Sequence, residues 1–77
     1  MGAAVVSLEQ YVKEESRGLD PDRLRGVGWL KARWGDPSDR TIRRYIASGN
    51  LPAMKIGGRW HFRLQDVFRF EHGRMHQ

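Results

Sequence analysis

The chain contains no cysteine, so neither disulfides nor a thiolate metal site can hold its fold. It has no apolar run approaching the roughly 18 residues that a membrane-spanning helix needs. Its one apolar stretch near the N-terminus, Ala3 to Val6, is too short for a secretory signal and has no basic residues before it. These absences predict a cytoplasmic protein with no membrane association. Histidine is scarce as well: His61, His72 and His76 are the full set. His72 and His76 stand four residues apart near the chain end, but no third ligand accompanies them, so no metal and no cofactor are expected. No Gly-rich loop opens a helix to cradle a phosphate, because Gly57-Gly58 joins two alternating segments. Asp66 and Glu71 read as helix charges rather than as an acid–base pair. A 77-residue chain makes one small domain that buries only about 60% of its unfolded surface. A deep catalytic cavity does not fit in it, and the protein is expected not to be an enzyme.

Positive charge, by contrast, is plentiful and uneven. Residues 1–26 carry four bases against five acids, a net −1. Residues 27–77 carry ten bases against four acids, a net +6, and eight of those ten are Arg. Arginine suits bidentate contact with phosphate and guanine. A polyanionic partner is therefore expected if the bases share a face.

Local patterns give the elements. Ser7 is a good N-cap, with Gln10 three residues on as a weak capping box. Leu8, Tyr11 and Val12 continue a helical stripe, and Gly18 reads as its stop. Asp20-Pro21 can open a second short turn, after which Gly26 and Gly28 loosen the chain. Val27, Leu30 and Trp34 share a stripe, predicting a helix over 27–34. Gly35-Asp36-Pro37-Ser38 is a turn by composition, and Ser38 caps a helix over 39–48 that Gly49 closes. From Leu51 the period changes to two. Ala53–Ile56 and Arg59–Arg63 alternate around Gly57-Gly58, a strong hairpin signal. Met54, Ile56, Trp60 and Phe62 are expected on one side, with Lys55, Arg59, His61 and Arg63 on the other. A last helix starts near Leu64, presents Leu64, Val67, Phe68 and Glu71 on one face, and ends at Gly73, leaving a frayed tail.

The helix over 39–48 carries the functional signal. At about 100° per residue, Ile42, Tyr45 and Ile46 cluster on one side, and Arg40, Arg43 and Arg44 on the other. That is an anchored back with long cations that can enter a major groove. A merely soluble surface helix usually balances Arg with acids at i+4, and no acid follows Asp39 here. Helix, turn and helix make a helix-turn-helix. The Gly-Gly tip followed by Arg59 makes a wing that can approach a DNA backbone or a narrow minor groove.

These residues resemble a known family. Ser38-Asp39-Arg40-Thr41-Ile42-Arg43-Arg44-Tyr45-Ile46, then Gly49-Asn50-Leu51-Pro52-Ala53-Met54-Lys55-Ile56-Gly57-Gly58-Arg59-Trp60-His61-Phe62-Arg63, then Asp66-Val67, are similar to the excisionase-type winged helix of the MerR superfamily. The resemblance covers roughly residues 27–72. It departs from the family where Val27-Gly28-Trp29 replaces a common first-helix acid, and where 26 residues precede that helix. The implied fold is mainly α with a small β-hairpin, a winged helix-turn-helix with an extra N-terminal helix. The implied layout is an extension over 1–26, the DNA-binding domain over 27–72, and a short tail over 73–77. The resemblance implies that Arg40 and Arg44 meet base edges while Thr41 and Arg43 meet phosphates. Lys55, Gly58, Arg59 and His61 would form the wing, with Arg59 at its tip. It further implies an excisionase that binds double-stranded DNA cooperatively, bends it and directs a phage or mobile-element integrase toward excision, with self-association along DNA.

Other readings fit parts of the pattern. A small MerR-like transcriptional regulator or a phage terminase small-subunit domain would use the same helix, but each normally carries a long segment after the winged helix. A protein-interaction adaptor would place the work in residues 1–26. Trp29, Trp60 and Phe70 also suggest single-strand base stacking. Trp60 fits a core position better, and Phe70, off the final helix's apolar stripe, suits a protein contact.

Overall fold

The computed structural model describes residues 6–75. In chain order the elements are α1 (Leu8–Glu15), β1 (Leu24–Gly26), α2 (Val27–Trp34), α3 (Asp39–Ala47), β2 (Met54–Ile56), β3 (Arg59–Arg63) and α4 (Leu64–Met75). The strands form one antiparallel sheet in the order β1-β3-β2. This is the architecture of a winged helix-turn-helix. The Ala3–Val5 part of the apolar N-terminal stretch, and His76 in the tail, lie outside the described residues.

The helix starts follow the caps. Ser7 Oγ accepts the Gln10 amide at 3.1 Å, and Ser38 Oγ accepts the Thr41 amide at 3.2 Å. The capping box of α1 is only half made, because Gln10 Nε2 turns forward to Glu14 at 3.3 Å. α2 ends on Gly35 at φ 77°, in the left-handed region that glycine enters without steric cost. Asp36 follows at φ 62°, which completes the sharp turn into α3.

Three expectations are corrected. First, the Asp20-Pro21 turn forms as expected, but the chain after it is not loose. Asp20 Oδ1 accepts the Asp22 amide at 2.9 Å, which closes a turn, and Leu24–Gly26 then pair with β3. The hairpin thus gains a third strand, from the stretch read as an extension. A three-residue strand carries too little periodicity to be seen in sequence. Second, the hairpin faces are regrouped. Ile56 pairs with Arg59, Lys55 with Trp60, and Met54 with His61. Directly opposed residues share a face, so Met54 and Ile56 go with Arg59 and His61, and Lys55 goes with Trp60 and Phe62. The cause is the two-residue tip: Gly57 and Gly58 sit at φ 59° and 80°, as a type I′ turn requires. That turn sets the register and hence the face of every side chain. Met54 and Ile56 are accordingly 40% and 47% exposed. Third, α4 runs through Gly73 to Met75. Gly73 is not in the positive-φ region, and one glycine costs a helix only about 1 kcal/mol.

The core is Leu30, Ile42, Leu51, Phe62, Leu64, Val67 and Phe68, all essentially closed to solvent. It draws on α2, α3, the segment leading to β2, β3 and α4. Each such side chain contributes about 1.5–3 kcal/mol by leaving water. The start of α4 has orphan amides, and the turn before β1 supplies their acceptors. Leu64 N donates to Arg23 O and Gln65 N to Pro21 O, both at 3.0 Å. α1 packs against α4, so residues from the N-terminal third close two sides of the molecule.

Candidate nucleic-acid interface

α3 has its back in the core and its cations in solvent. Ile42 is buried, Tyr45 and Ile46 are half-buried, and Arg40, Arg43 and Arg44 are exposed. Among the described residues none of these three arginines forms an ion pair. The one acid on the helix, Asp39, is taken instead by Lys31 of α2, at 2.7 Å. Its hydrogen bond and attraction to Lys31 hold the Asp39 carboxyl below its usual range. The same hydrogen bond raises Lys31. The negative charge at the start of α3 is thereby offset by a neighbouring cation, although Asp39 itself stays exposed.

The wing stands beside this helix. Gly26, Val27 and Gly28, with Asp39, Ile42 and Arg43 of α3 and Lys55, Gly58, Arg59, Trp60 and His61 of the hairpin, line a cleft of about 580 Å³ between α3 and the hairpin. Lys55 Nζ lies 5.3 Å from the centre of the Trp60 ring, which positions the ammonium without consuming its charge. His61 Nδ1 is 3.0 Å from the carbonyl of Arg59, two residues before it. At Gly58 a Cβ would meet nothing, so glycine is required there by φ and not by space. Long cations, open backbone and no unpaired acid make a surface that attracts a polyanion.

Of the residues singled out in sequence, Arg43, Lys55, Gly58, Arg59 and His61 line that one cleft. Arg40 and Arg44 lie on the exposed length of α3 outside it. Thr41 is half-buried, and its hydroxyl lies 3.0 Å from Ser38 Oγ. Trp29, Trp60 and Phe70 all pack against the core. Phe70 meets Trp34 and Tyr45 at ring distances of 5.4 and 4.8 Å, so its place off the stripe reflects an aromatic cluster within the chain.

Sequence reading missed the polar hub on the opposite side. Glu71 falls at the fourth position of the inward stripe of α4, and its side chain is only 12% exposed. It accepts Tyr11 Oη at 2.8 Å, Trp34 Nε1 at 2.6 Å, and Arg33 Nε and Nη2 at 2.5 and 2.7 Å. Arg33 Nη2 also donates to Glu15 at 2.6 Å. Burial pushes the Glu71 carboxyl up, but the hydrogen bonds from Arg33, Trp34 and Tyr11 outweigh it and hold the group below its usual range. Burial and the bond to Glu71 push the Tyr11 phenol up to about 12. The hydrogen bond to Glu71 keeps Arg33 firmly charged. The only signal in sequence was an acid on an apolar stripe. Its partners lie 37 to 60 positions away.

Among the described residues no cluster of His, Asp and Glu could hold a metal ion. His72 Nε2 instead lies 2.6 Å from Val6 O, with its ring beside Tyr11. No helix among the described residues is long and apolar enough to cross a membrane. No curated protein and no solved structure gives a significant match. Residues 38–74 do match the family model described as a helix-turn-helix domain. That span takes in α3, the wing and nearly all of α4, the elements that carry the exposed cations. The match makes this part of the chain similar to a helix-turn-helix domain, the kind of domain that binds double-stranded DNA.

Proposed function

We propose that the protein is a sequence-specific double-stranded DNA-binding factor that acts as an excisionase. α3 enters the major groove, where Arg40 and Arg44 read base edges and Thr41 and Arg43 approach phosphates. Lys55, Gly58, Arg59 and His61 present the wing to the adjoining backbone, with Arg59 reaching the minor groove. The factor binds cooperatively, bends its site and steers a phage or mobile-element integrase toward excision. It acts in the cytoplasm, on DNA, and leaves all catalysis to that partner. The layout of an extension over 1–26, a DNA-binding domain over 27–72 and a tail over 73–77 belongs to the same reading.

One observation carries the DNA-binding part. Arg43 of α3 and the cations of the wing line one open cleft, Arg40 and Arg44 are exposed and without ion pairs among the described residues on the same helix, and the acid in the cleft, Asp39, is held by Lys31. The excision part rests on the resemblance of residues 38–67 to excisionase-type domains. Two measurements test the parts separately. Contact with about six phosphates gives a log–log salt slope near −5, and a DNA affinity indifferent to salt overturns the first part. Excisive recombination by the cognate integrase, with and without this protein, tests the second. Absence of stimulation moves the function to transcriptional regulation.

A further inference from the structure

The two flanks of α3 differ. Arg43 looks toward the wing cleft. Tyr45, two residues on and so about 200° around the helix, looks the other way, onto Trp34 at 6.2 Å and Phe70 at 4.8 Å. On that second flank the Arg74 guanidinium lies 5.0 Å from the centre of the Tyr45 ring and 5.8 Å from that of Phe70. Arg74, Arg69 and Asn50 together line a cleft of about 270 Å³ beside the C-terminal end of α3. All three residues are exposed. Among the described residues neither Arg69 nor Arg74 forms an ion pair.

A cation in the last turn of a helix is ordinary, because it complements the helix dipole. Arg74 does more than that. It is laid across two rings of a neighbouring cluster, which fixes its direction and removes much of the entropy cost of a later contact. A helix seated in a major groove is bordered by two sugar-phosphate strands. The wing serves one border. We infer that Arg69, Arg74 and Asn50 form a second phosphate-contact surface, engaging the DNA strand on the border of the groove opposite the wing. The inference rests on the DNA-binding reading above and extends its footprint to α4.

Phosphate contacts are sequence-blind and show in the salt slope. The probes are a short mixed-sequence duplex and the tightest duplex selected from a random library. In the full chain, Arg69→Gln and Arg74→Gln should each make the log–log slope shallower by about 1. Affinity should fall alike on both duplexes, and the preference between them should stay unchanged. Arg74→Lys keeps the charge and should keep most of the slope. Phosphate ethylation of the selected duplex should interfere at both borders of the groove, and the interference opposite the wing should vanish in the Arg69→Gln/Arg74→Gln double variant. A folded double variant, shown by an unchanged far-UV spectrum and melting temperature, with wild-type slope and interference overturns the inference alone. So does an intact DNA slope combined with lost binding to a protein partner, which would make this flank a protein contact. A wild-type chain that binds neither duplex overturns the DNA-binding reading and this inference with it.

Discussion

The Glu71 hub and the surface of α3 and the wing use charge in opposite ways. In the hub Glu71 meets Tyr11, Arg33 and Trp34, and Arg33 also meets Glu15. Every charge of that hub has a partner, and the result ties α1, α2 and α4 together. Across α3 and the wing, Arg40, Arg43, Arg44, Lys55 and Arg59 have no acid partner among the described residues. A charge held by a buried partner stabilises the fold and is lost to an outside ligand. A charge left in solvent adds little to stability and remains available. Arg33 and Arg44 are both arginines on helices of the helix-turn-helix, yet among the described residues only the second has no acid partner.

Removing the hub should have the largest effect. Glu71→Ala takes the acceptor from three donor side chains in half-buried surroundings, and should cost about 2–3 kcal/mol. In a chain of this size that lowers Tm by roughly 10–20 °C. DNA affinity of the folded fraction should be nearly unchanged. A Tm within a degree or two of wild type would show the hub to be incidental.

Arg44→Ala should do the reverse. It should cost about 1–3 kcal/mol on the selected duplex and relax specificity there, while stability moves by less than about 0.5 kcal/mol. If Arg44→Ala unfolds the chain, or weakens every duplex equally, α3 is not the reading element and the contrast between hub and surface collapses.

How much of this contrast was legible in sequence depends on reach. The anchored back of α3, Ser38 as its cap and the Gly57-Gly58 turn are local patterns, and each stands where the periodicity puts it. The cationic cleft followed from these, because helix and hairpin are neighbours in sequence. β1 and the Glu71 hub were not legible. A strand of three residues has no period to detect. Glu71 reaches back to Tyr11, whose position depends on how α1 packs on α4, and no local rule supplies that. The faces of β2 went wrong for a subtler reason. Alternation gives the two faces of a strand, but the turn decides which of them joins the core.

Tyr11→Phe should give a smaller change, about 1 kcal/mol for one hydrogen bond to a carboxylate, with a pH signature. In the wild type the folded state raises the Tyr11 phenol above its unfolded value near 10. The stability Tyr11 contributes is therefore whole below pH 10 and is lost as pH rises toward about 12. Glu71 acts at the other end. Its folded value is depressed, so its contribution is whole above the unfolded carboxyl value and is lost as pH falls through the folded one. Urea midpoints against pH should fall at both ends in wild type. Tyr11→Phe should flatten the alkaline fall, and Glu71→Gln the acid one. An alkaline fall that survives in Tyr11→Phe would mean the phenol is not coupled to folding through the hub.

The smallest effect belongs to the wing tip. Arg59 is exposed, pairs through its backbone with Ile56, and follows a glycine whose φ sets the turn. Its side chain can be removed without touching the core, so Arg59→Ala should leave Tm unchanged. On the proposed footprint the side chain meets backbone or the minor groove, where sequence information is poor. Affinity should fall by a similar modest factor on all duplexes, with the salt slope shallower by about 1. A loss confined to A·T-rich sites would place Arg59 inside a narrow minor groove, where the potential is most negative. A loss confined to one G·C-containing site would instead make the wing a base reader, and the division of labour between α3 and the hairpin would have to be redrawn.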